Sequence, residues 1–267
     1  SAQDAYMRLS RDLAKAGYAT MRIEKSGVGD SQGPPCANVD FESEVRGYRA
    51  ALASMHANAA IDAKRIYIFG HSIGSVVAPM FAHDGIAGII VAEGVGRDWP
   101  EYEIRNLRRD MALDGASPAD TDQALIEKAE CMQKYMFEDE PEAQVEAEIP
   151  ACKTHDSVYP VSAWYMRHVV ALNIIAPWMK VDAPVLLVYG TSDFETELED
   201  HQRIQQVVDA AHPHSATLVP IDGMSHFLGK AATPQAAYAD YGKAIEEYDD
   251  QLSRAVIGWL DKSNPRP

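Results

Sequence analysis

The 267-residue sequence has no apolar run long enough to cross a bilayer. Its longest, from Val169 to Met179, is broken by Asn173 and Pro177 and falls short of the ~20 residues a spanning helix needs. Basic residues are scarce: 24 Lys and Arg against 40 Asp and Glu leave a formal net charge of −16. That balance argues against nucleic acid and anionic membrane surfaces as partners. Cysteine is nearly absent. Cys36, Cys131 and Cys152 are far apart, lack metal-ligand spacing and are odd in number, so they read as buried or idle thiols rather than a disulfide framework. No internal repeat, low-complexity tract or signal-peptide pattern occurs in these residues, and no compartment is assigned.

What is present is an alternation of short apolar runs with amphipathic stretches. Residues 5–16 carry Ala5, Tyr6, Leu9 and Leu13 on one face and stop at Gly17, as a helix would. Strands are expected at 18–24, 66–69, 86–91, 185–189 and 216–221, five in all. Helices are expected over Phe41 to Met55, Ile73 to Phe81 and Asp200 to Ala211. A final helix has Tyr241, Ile245, Tyr248, Leu252, Val256 and Trp259 on one stripe. Strands alternating with helices imply a mostly parallel sheet covered on both faces, an α/β fold. Residues 97–180 read differently: helical, charged and strand-free. Ser117-Pro118-Ala119-Asp120 is a helix start, and Leu125, Ala129, Met132 and Met136 continue it; a last helix spans Trp164 to Ile175. This stretch is expected to be a helical cap inserted into a core made of 1–96 and 181–267.

The segment Ile66-Tyr67-Ile68-Phe69-Gly70-His71-Ser72-Ile73-Gly74-Ser75 places a serine between two glycines, where a strand gives way to a buried helix. G-x-S-x-G in that setting is a nucleophile elbow. The tight turn lifts the Ser72 hydroxyl clear of the sheet, small residues are expected at Gly70 and Gly74, and the Ile73 N–H is free to face an oxyanion. A serine needs a base, itself oriented by an acid, in the chain order Ser, Asp or Glu, His. His226, in a loop just past the last strand, is the candidate base. His201, His212 and His214 read as solvated on or beside a polar helix, His155 and His168 fall in the cap, His56 and His83 lie near helix ends, and His71 points elsewhere. Asp193, in a short loop after the strand at 185–189, is the candidate acid; Glu93, after the neighbouring strand, is the second candidate. Trp99, Tyr102, Trp164, Tyr165 and Trp178 are candidates to line an apolar substrate pocket or to form the cap's own core. Arg105, Arg108 and Arg109 read as a solvated helix face, and Cys36 as a loop thiol.

These motifs resemble the α/β-hydrolase superfamily, in particular its serine esterase and serine aminopeptidase-like branch, over most of the chain outside 97–180. In AYMRLSRDLAKAGYATMRIEKSGVGDSQG, Arg22, Lys25, Gly27, Gly29 and Ser31 match the branch's usual pattern, with Glu24 in place of its aspartate. FGHSIGS matches the elbow, with Ser75 where a third glycine is common. VLLVYGTSD and DGMSHFL match the acid and histidine segments. The resemblance implies a catalytic triad of Ser72, Asp193 and His226, no metal or organic cofactor, and a small-molecule acyl substrate. The expected activity is cleavage of carboxylic esters through an acyl-enzyme. Peptide, amide or thioester cleavage by the same triad, or a non-catalytic ligand-binding role on the same scaffold, remain the alternatives. The family's sheet also has strands before the first helix seen here. One of them lies between the strands expected at 18–24 and 66–69, and the loop after it supplies the second oxyanion N–H. The resemblance thus implies that a missing N-terminal segment or companion chain completes the sheet. The alternative is a rearranged sheet in which 18–24 and 66–69 pair directly.

Overall fold

The computed structural model describes residues 2–138, 140–153, 163–241 and 247–263. In chain order the elements are α1 (Ala2–Lys15), α2 (Phe41–Ala57), β1 (Tyr67–His71), α3 (Gly74–Val77), β2 (Gly88–Ala92), α4 (Trp99–Leu113), α5 (Pro118–Met132), α6 (Glu142–Glu148), α7 (Ala163–Val170), α8 (Ile175–Trp178), β3 (Val185–Gly190), α9 (Leu198–Ala211), β4 (Ala216–Ile221), α10 (Pro234–Asp240) and α11 (Asp250–Ser263). The strands form one parallel sheet in the order β1-β2-β3-β4. None of the helices is long and apolar enough to cross a membrane among the described residues.

Alternation along β2 and β3 divides the core. Ile90, Ala92, Leu186 and Val188 face one side, where they pack with Ala5 and Leu9 of α1 and Leu252, Val256 and Leu260 of α11. Ile89, Val91, Val185 and Leu187 face the other, against Ala78, Ala82, Trp178 and Ile204 and Val208 of α9. Strands buried on both faces read as continuous apolar runs, which is why GIIVA and VLLVYG carry no polar alternation.

Two compact units divide the chain. The first comprises Ser1–Met21, Ala53–Arg97 and Ile174–Pro267 and holds the sheet; the second comprises Arg22–Leu52 and Asp98–Asn173. Within the second, α4 and α5 start on side-chain caps: Asp98 accepts from the Glu101 N–H and Ser117 from the Asp120 N–H, each replacing a bond the first helical turn cannot make. Arg105 and Arg108 lie at the surface, opposite Glu101 and Asp122.

Several expectations are corrected. Residues 18–24 form no strand; 19–24 are exposed, and among the described residues no strand pairs with them. Among the described residues the sheet therefore has four strands, not five, and 18–24 does not pair with β1. An extended segment without a ladder partner gains nothing over hydration of its backbone. Only the first part of Ile73 to Phe81 is α-helical; a 3₁₀ turn follows at Ala78–Phe81, where Pro79 lacks the N–H to bond back into the helix. After α5 the chain passes through a π-helical turn, Gln133–Phe137, and Trp164 to Ile175 divides between α7 and α8. The last helix starts at Asp250; Tyr241 precedes it and stacks on Phe227 at 5.3 Å, and Ile245 lies outside the described residues. Cys131 and Cys152 are disulfide-bonded, because the end of α5 and the turn after α6 bring their Cα atoms to 5.4 Å, within the range a bridge needs. The odd cysteine, Cys36, remains free and half-buried; an odd total does not rule out one pair plus one thiol.

Candidate active site

The site is built at the carboxyl ends of β1, β2, β3 and β4, all in the first unit. Ser72 follows β1 directly and has φ +54°, the left-handed conformation that a non-glycine residue adopts only where its surroundings impose it. Its N–H donates to the Ala92 carbonyl at 3.1 Å, and its carbonyl accepts from the Ser75 N–H at 2.9 Å. The Ser75 hydroxyl also donates to the Ser72 carbonyl at 2.8 Å and accepts from the Val95 N–H at 2.8 Å. The serine found where a third glycine is common thus ties the elbow to the loop after β2. A Cβ at Gly70 would stand 2.5 Å from the Gly74 carbonyl oxygen, so the strand needs glycine there. The same test at Gly74 meets nothing within 4 Å; the requirement for a small residue holds before the serine and not after it. No hydrogen bond from the Ile73 N–H is found among the described residues, leaving it available to an incoming oxygen.

His226 sits in the loop after β4, held by the Ser225 N–H to Gly229 carbonyl bond and the return Leu228 N–H to Ser225 carbonyl bond. Its Nε2 lies 3.1 Å from Ser72 Oγ. Its Nδ1 lies 3.1 and 3.2 Å from the two carboxyl oxygens of Asp193. The loops carrying Asp193 and His226 are joined by the Ser192 N–H, which donates to the Met224 carbonyl at 3.0 Å. Asp193 is a well-supplied acceptor. Oδ1 takes the N–H groups of Glu195 and Thr196 at 2.6 and 3.1 Å, and Oδ2 takes the Thr196 hydroxyl. Burial alone would raise its pKa, but the His226 charge and these hydrogen bonds outweigh burial and hold the carboxyl well below its usual range.

Two residues that looked peripheral in the sequence belong to the site's frame. His71 was expected to point elsewhere; instead its Nε2–H donates to the His226 carbonyl at 2.7 Å. A carbonyl can only accept, so Nδ1 is the unprotonated nitrogen and takes the Tyr6 hydroxyl at 2.6 Å. Burial, then the neighbouring His226 charge, push the His71 pKa down to about 3, and the ring stays neutral. His201 is not solvated on a polar helix but fully buried. It accepts the Gly94 N–H at Nε2 and donates from Nδ1 to the Glu197 carbonyl; burial lowers its pKa too. Beside it Asp200 accepts from the Gly96 N–H and from Arg97 Nε, pinning the loop after β2 to the start of α9. A sequence offers little to mark either histidine, since the His71 contacts span 65 and 155 positions and the His201 contact with Gly94 spans 107.

The remaining site expectations fall as follows. Trp99, Tyr102 and Tyr165 are buried within the second unit. Trp99 packs on Tyr102 at 4.8 Å, and Tyr165 on Phe41 at 5.4 Å. Trp164 is exposed on α7. Trp178 is fully buried in the core on one face of the sheet. His155 lies outside the described residues. No cluster of three His, Cys, Asp or Glu side chains able to hold a metal is found among the described residues.

The sequence pattern of the Alpha/beta hydrolase family matches residues 3–241. None of the curated proteins compared matches the sequence. Among solved structures, an esterase of Pyrococcus furiosus superposes with a TM-score of 0.55 at 14% identity, over 97% of this chain and 76% of that one. A monoacylglycerol lipase of Paleococcus ferrophilus gives 0.56 at 17%, over 97% and 89%. A thermophilic esterase from Thermogutta terrifontis gives 0.54 at 17%, over 97% and 85%. At such identities the likeness is one of fold.

Proposed function

Because the chain belongs to the alpha/beta hydrolase family, we propose that it is a serine hydrolase that cleaves carboxylic esters through an acyl-enzyme on Ser72. The observation that carries this reading is the 3.1 Å approach of His226 Nε2 to Ser72 Oγ, with Asp193 on the other ring nitrogen. The esterases and the lipase that share the fold agree with it.

Ser72 Oγ attacks the acyl carbon as its proton passes to His226 Nε2. Asp193 keeps the Nδ1–H tautomer in place and stabilises the imidazolium. The carbonyl oxygen becomes an oxyanion and takes the Ile73 N–H. Collapse breaks the C–O bond, and His226 returns the proton to the departing alcohol. Water then repeats the attack on the acyl-enzyme, losing its proton to His226, and releases the acid with Ser72 restored.

The second oxyanion donor belongs to a strand-and-loop that would lie beside β1. Ile66 and Ser72 bond to the β2 side through their carbonyl and N–H. By alternation, Tyr67, Phe69 and His71 turn their own backbone groups to the outer edge, which is unpaired among the described residues. We read that edge as the seat of a further strand, from a segment outside these residues or from a companion chain.

Fluorophosphonate labelling and hydrolysis of a panel of acyl esters test the function. Labelling at Ser72 is expected, and Ser72→Ala is expected to lose labelling and to reduce kcat by about a million-fold. Tight ligand binding without Ser72-dependent labelling or turnover would mean a receptor on a hydrolase scaffold.

A further inference from the structure

Glu93 ends the run that begins with β2, and no step of the proposed chemistry uses it. Its side chain is fully buried, and its backbone is left-handed at φ +49°, a conformation a non-glycine residue keeps only where its surroundings impose it. One carboxyl oxygen, Oε1, accepts the Gly190 N–H at 2.8 Å. A side chain at Gly190 would be impossible, since its Cβ would lie 2.6 Å from that oxygen and 2.2 Å from the Met224 carbonyl. The other oxygen, Oε2, is sealed from solvent and faces no donor among the described residues. What the Glu93 carboxyl does meet is the Asp193 carboxyl, which lies close enough to interact with it directly.

An ionised carboxylate has only acceptors. Two of them cannot share a hydrogen bond, and burying both beside each other is prohibitive. One of the pair must carry a proton. Asp193 already receives two N–H groups and a hydroxyl and faces the imidazole, the setting of a charged group. Glu93 has a single N–H and a spare oxygen. We propose that Glu93 is held un-ionised and donates its Oε2–H to the Asp193 carboxylate, acting as a positioning residue for the acid that orients His226. This role rests on the triad reading above. Burial first, then the Asp193 charge, push the Glu93 pKa well above the usual carboxylate range, in the same direction. The other titratable or charged groups on neighbouring elements are His71 from β1, His226 from the loop after β4, His201 and Asp200 from α9, and Arg97 in the loop after β2. Burial lowers the pKa of both histidines outside the triad, and Arg97 is paired with Asp200 at 2.7 Å and with Glu197 at 3.2 Å, leaving Asp193 as the charge that matters to Glu93.

Infrared spectroscopy near neutral pH tests the proton. Wild type is expected to show the carbonyl band of an un-ionised carboxyl, retained in Ser72→Ala and absent in Glu93→Gln; no such band in wild type would overturn the proposal. The downfield proton resonance of the His226–Asp193 hydrogen bond tests the positioning without needing turnover. It is expected to persist in Glu93→Gln, whose amide keeps one donor and one acceptor, and to move or vanish in Glu93→Leu. An unmoved resonance in a folded Glu93→Leu protein would refute a positioning role. On an ester substrate, Glu93→Gln should leave the acid limb of the kcat/KM profile in place, whereas Glu93→Leu should lower kcat on the order of a hundredfold. A shift of that limb to lower pH in Glu93→Gln, the mark of a lost negative charge beside the imidazolium, would show Glu93 ionised. Failure on every ester with both spectroscopic results intact would sink the esterase reading and leave the proton assignment standing.

Discussion

Acidification should weaken the sheet's carboxyl edge at His71. His71 bonds as a neutral ring on both sides, to the Tyr6 hydroxyl and to the carbonyl of His226. Its pKa falls from 6.5 to about 3 on folding. A base depressed in the folded state contributes its full stability above its unfolded pKa and loses it as pH falls below that value, because the unfolded chain then binds a proton the native one refuses. Between pH 6.5 and pH 5 the gap is about one and a half pH units, each worth about 1.4 kcal/mol, or ~2 kcal/mol before solvent at the partly exposed ring trims it. His201 is depressed as well and loses stability in the same direction. Asp193, held low, contributes stability that persists until pH falls below 3.8, so it is silent in this window, while Glu93, raised on folding, gains stability as pH falls and opposes the histidines equally in wild type and in a His71 variant. Subtracting a variant that cannot titrate isolates His71. Urea unfolding of wild type and His71→Gln at closely spaced pH values should show wild type losing about 1–2 kcal/mol more than the variant over that interval. Whatever His71→Gln costs by itself is removed, because only the slopes are compared. Parallel pH dependences would mean that the ring does not stay neutral, and the tautomer assigned from the His226 carbonyl would be wrong.

Two further outcomes follow from covalent and backbone connections. The Cys131–Cys152 bridge joins residues separated by 21 positions, and a loop of that size should stabilise the folded second unit by about 3 kcal/mol. Reduction, or Cys131→Ser with Cys152→Ser, should lower the urea midpoint accordingly in a Cys36→Ser background, with the bridge itself read by non-reducing peptide mapping; an unchanged midpoint despite a mapped bridge would contradict the estimate. At the outer edge of β1, unpaired among the described residues, the amide hydrogens of Tyr67, Phe69 and His71 should exchange quickly in this chain alone and slowly when a further strand is supplied to that edge. Slow exchange in the chain alone would show that the edge is already covered.

The elbow was legible because its physics is local. A tight turn between a buried strand and a buried helix demands a glycine before the serine, and FGHSIG shows that demand within a few residues. Asp193 and His226 were legible for a related reason: each follows a short, unmistakably apolar strand, and a parallel sheet delivers every such loop to the same edge. The strand expected at 18–24 failed on the opposite ground. Its side chains alternate well enough, but a strand is defined by its neighbour, and among the described residues nothing pairs with it. His71, Glu93 and the disulfide were obscure in the same way. The His71 bond to His226 spans 155 positions and the Glu93 bond to Gly190 spans 97, distances over which residue type alone says little.

The sequence offered two acids, each following a strand that neighbours the other, and posed them as competitors for one imidazole. Parallel pairing of β2 with β3 brings both to the same place: the Glu93 N–H bonds to the Val188 carbonyl, and the Glu93 carboxyl to the Gly190 N–H. Two carboxyls delivered to one dry site cannot both be charged, so competition resolves into a division of labour in which one keeps the charge and the other keeps the proton. The donors decide which. Thr196, three positions after Asp193, offers that carboxyl both an N–H and a hydroxyl, whereas Glu93 has only the Gly190 N–H. A threonine in that place is a short-range signal that Asp193 is the charged partner, and it could have been read from TSDFET.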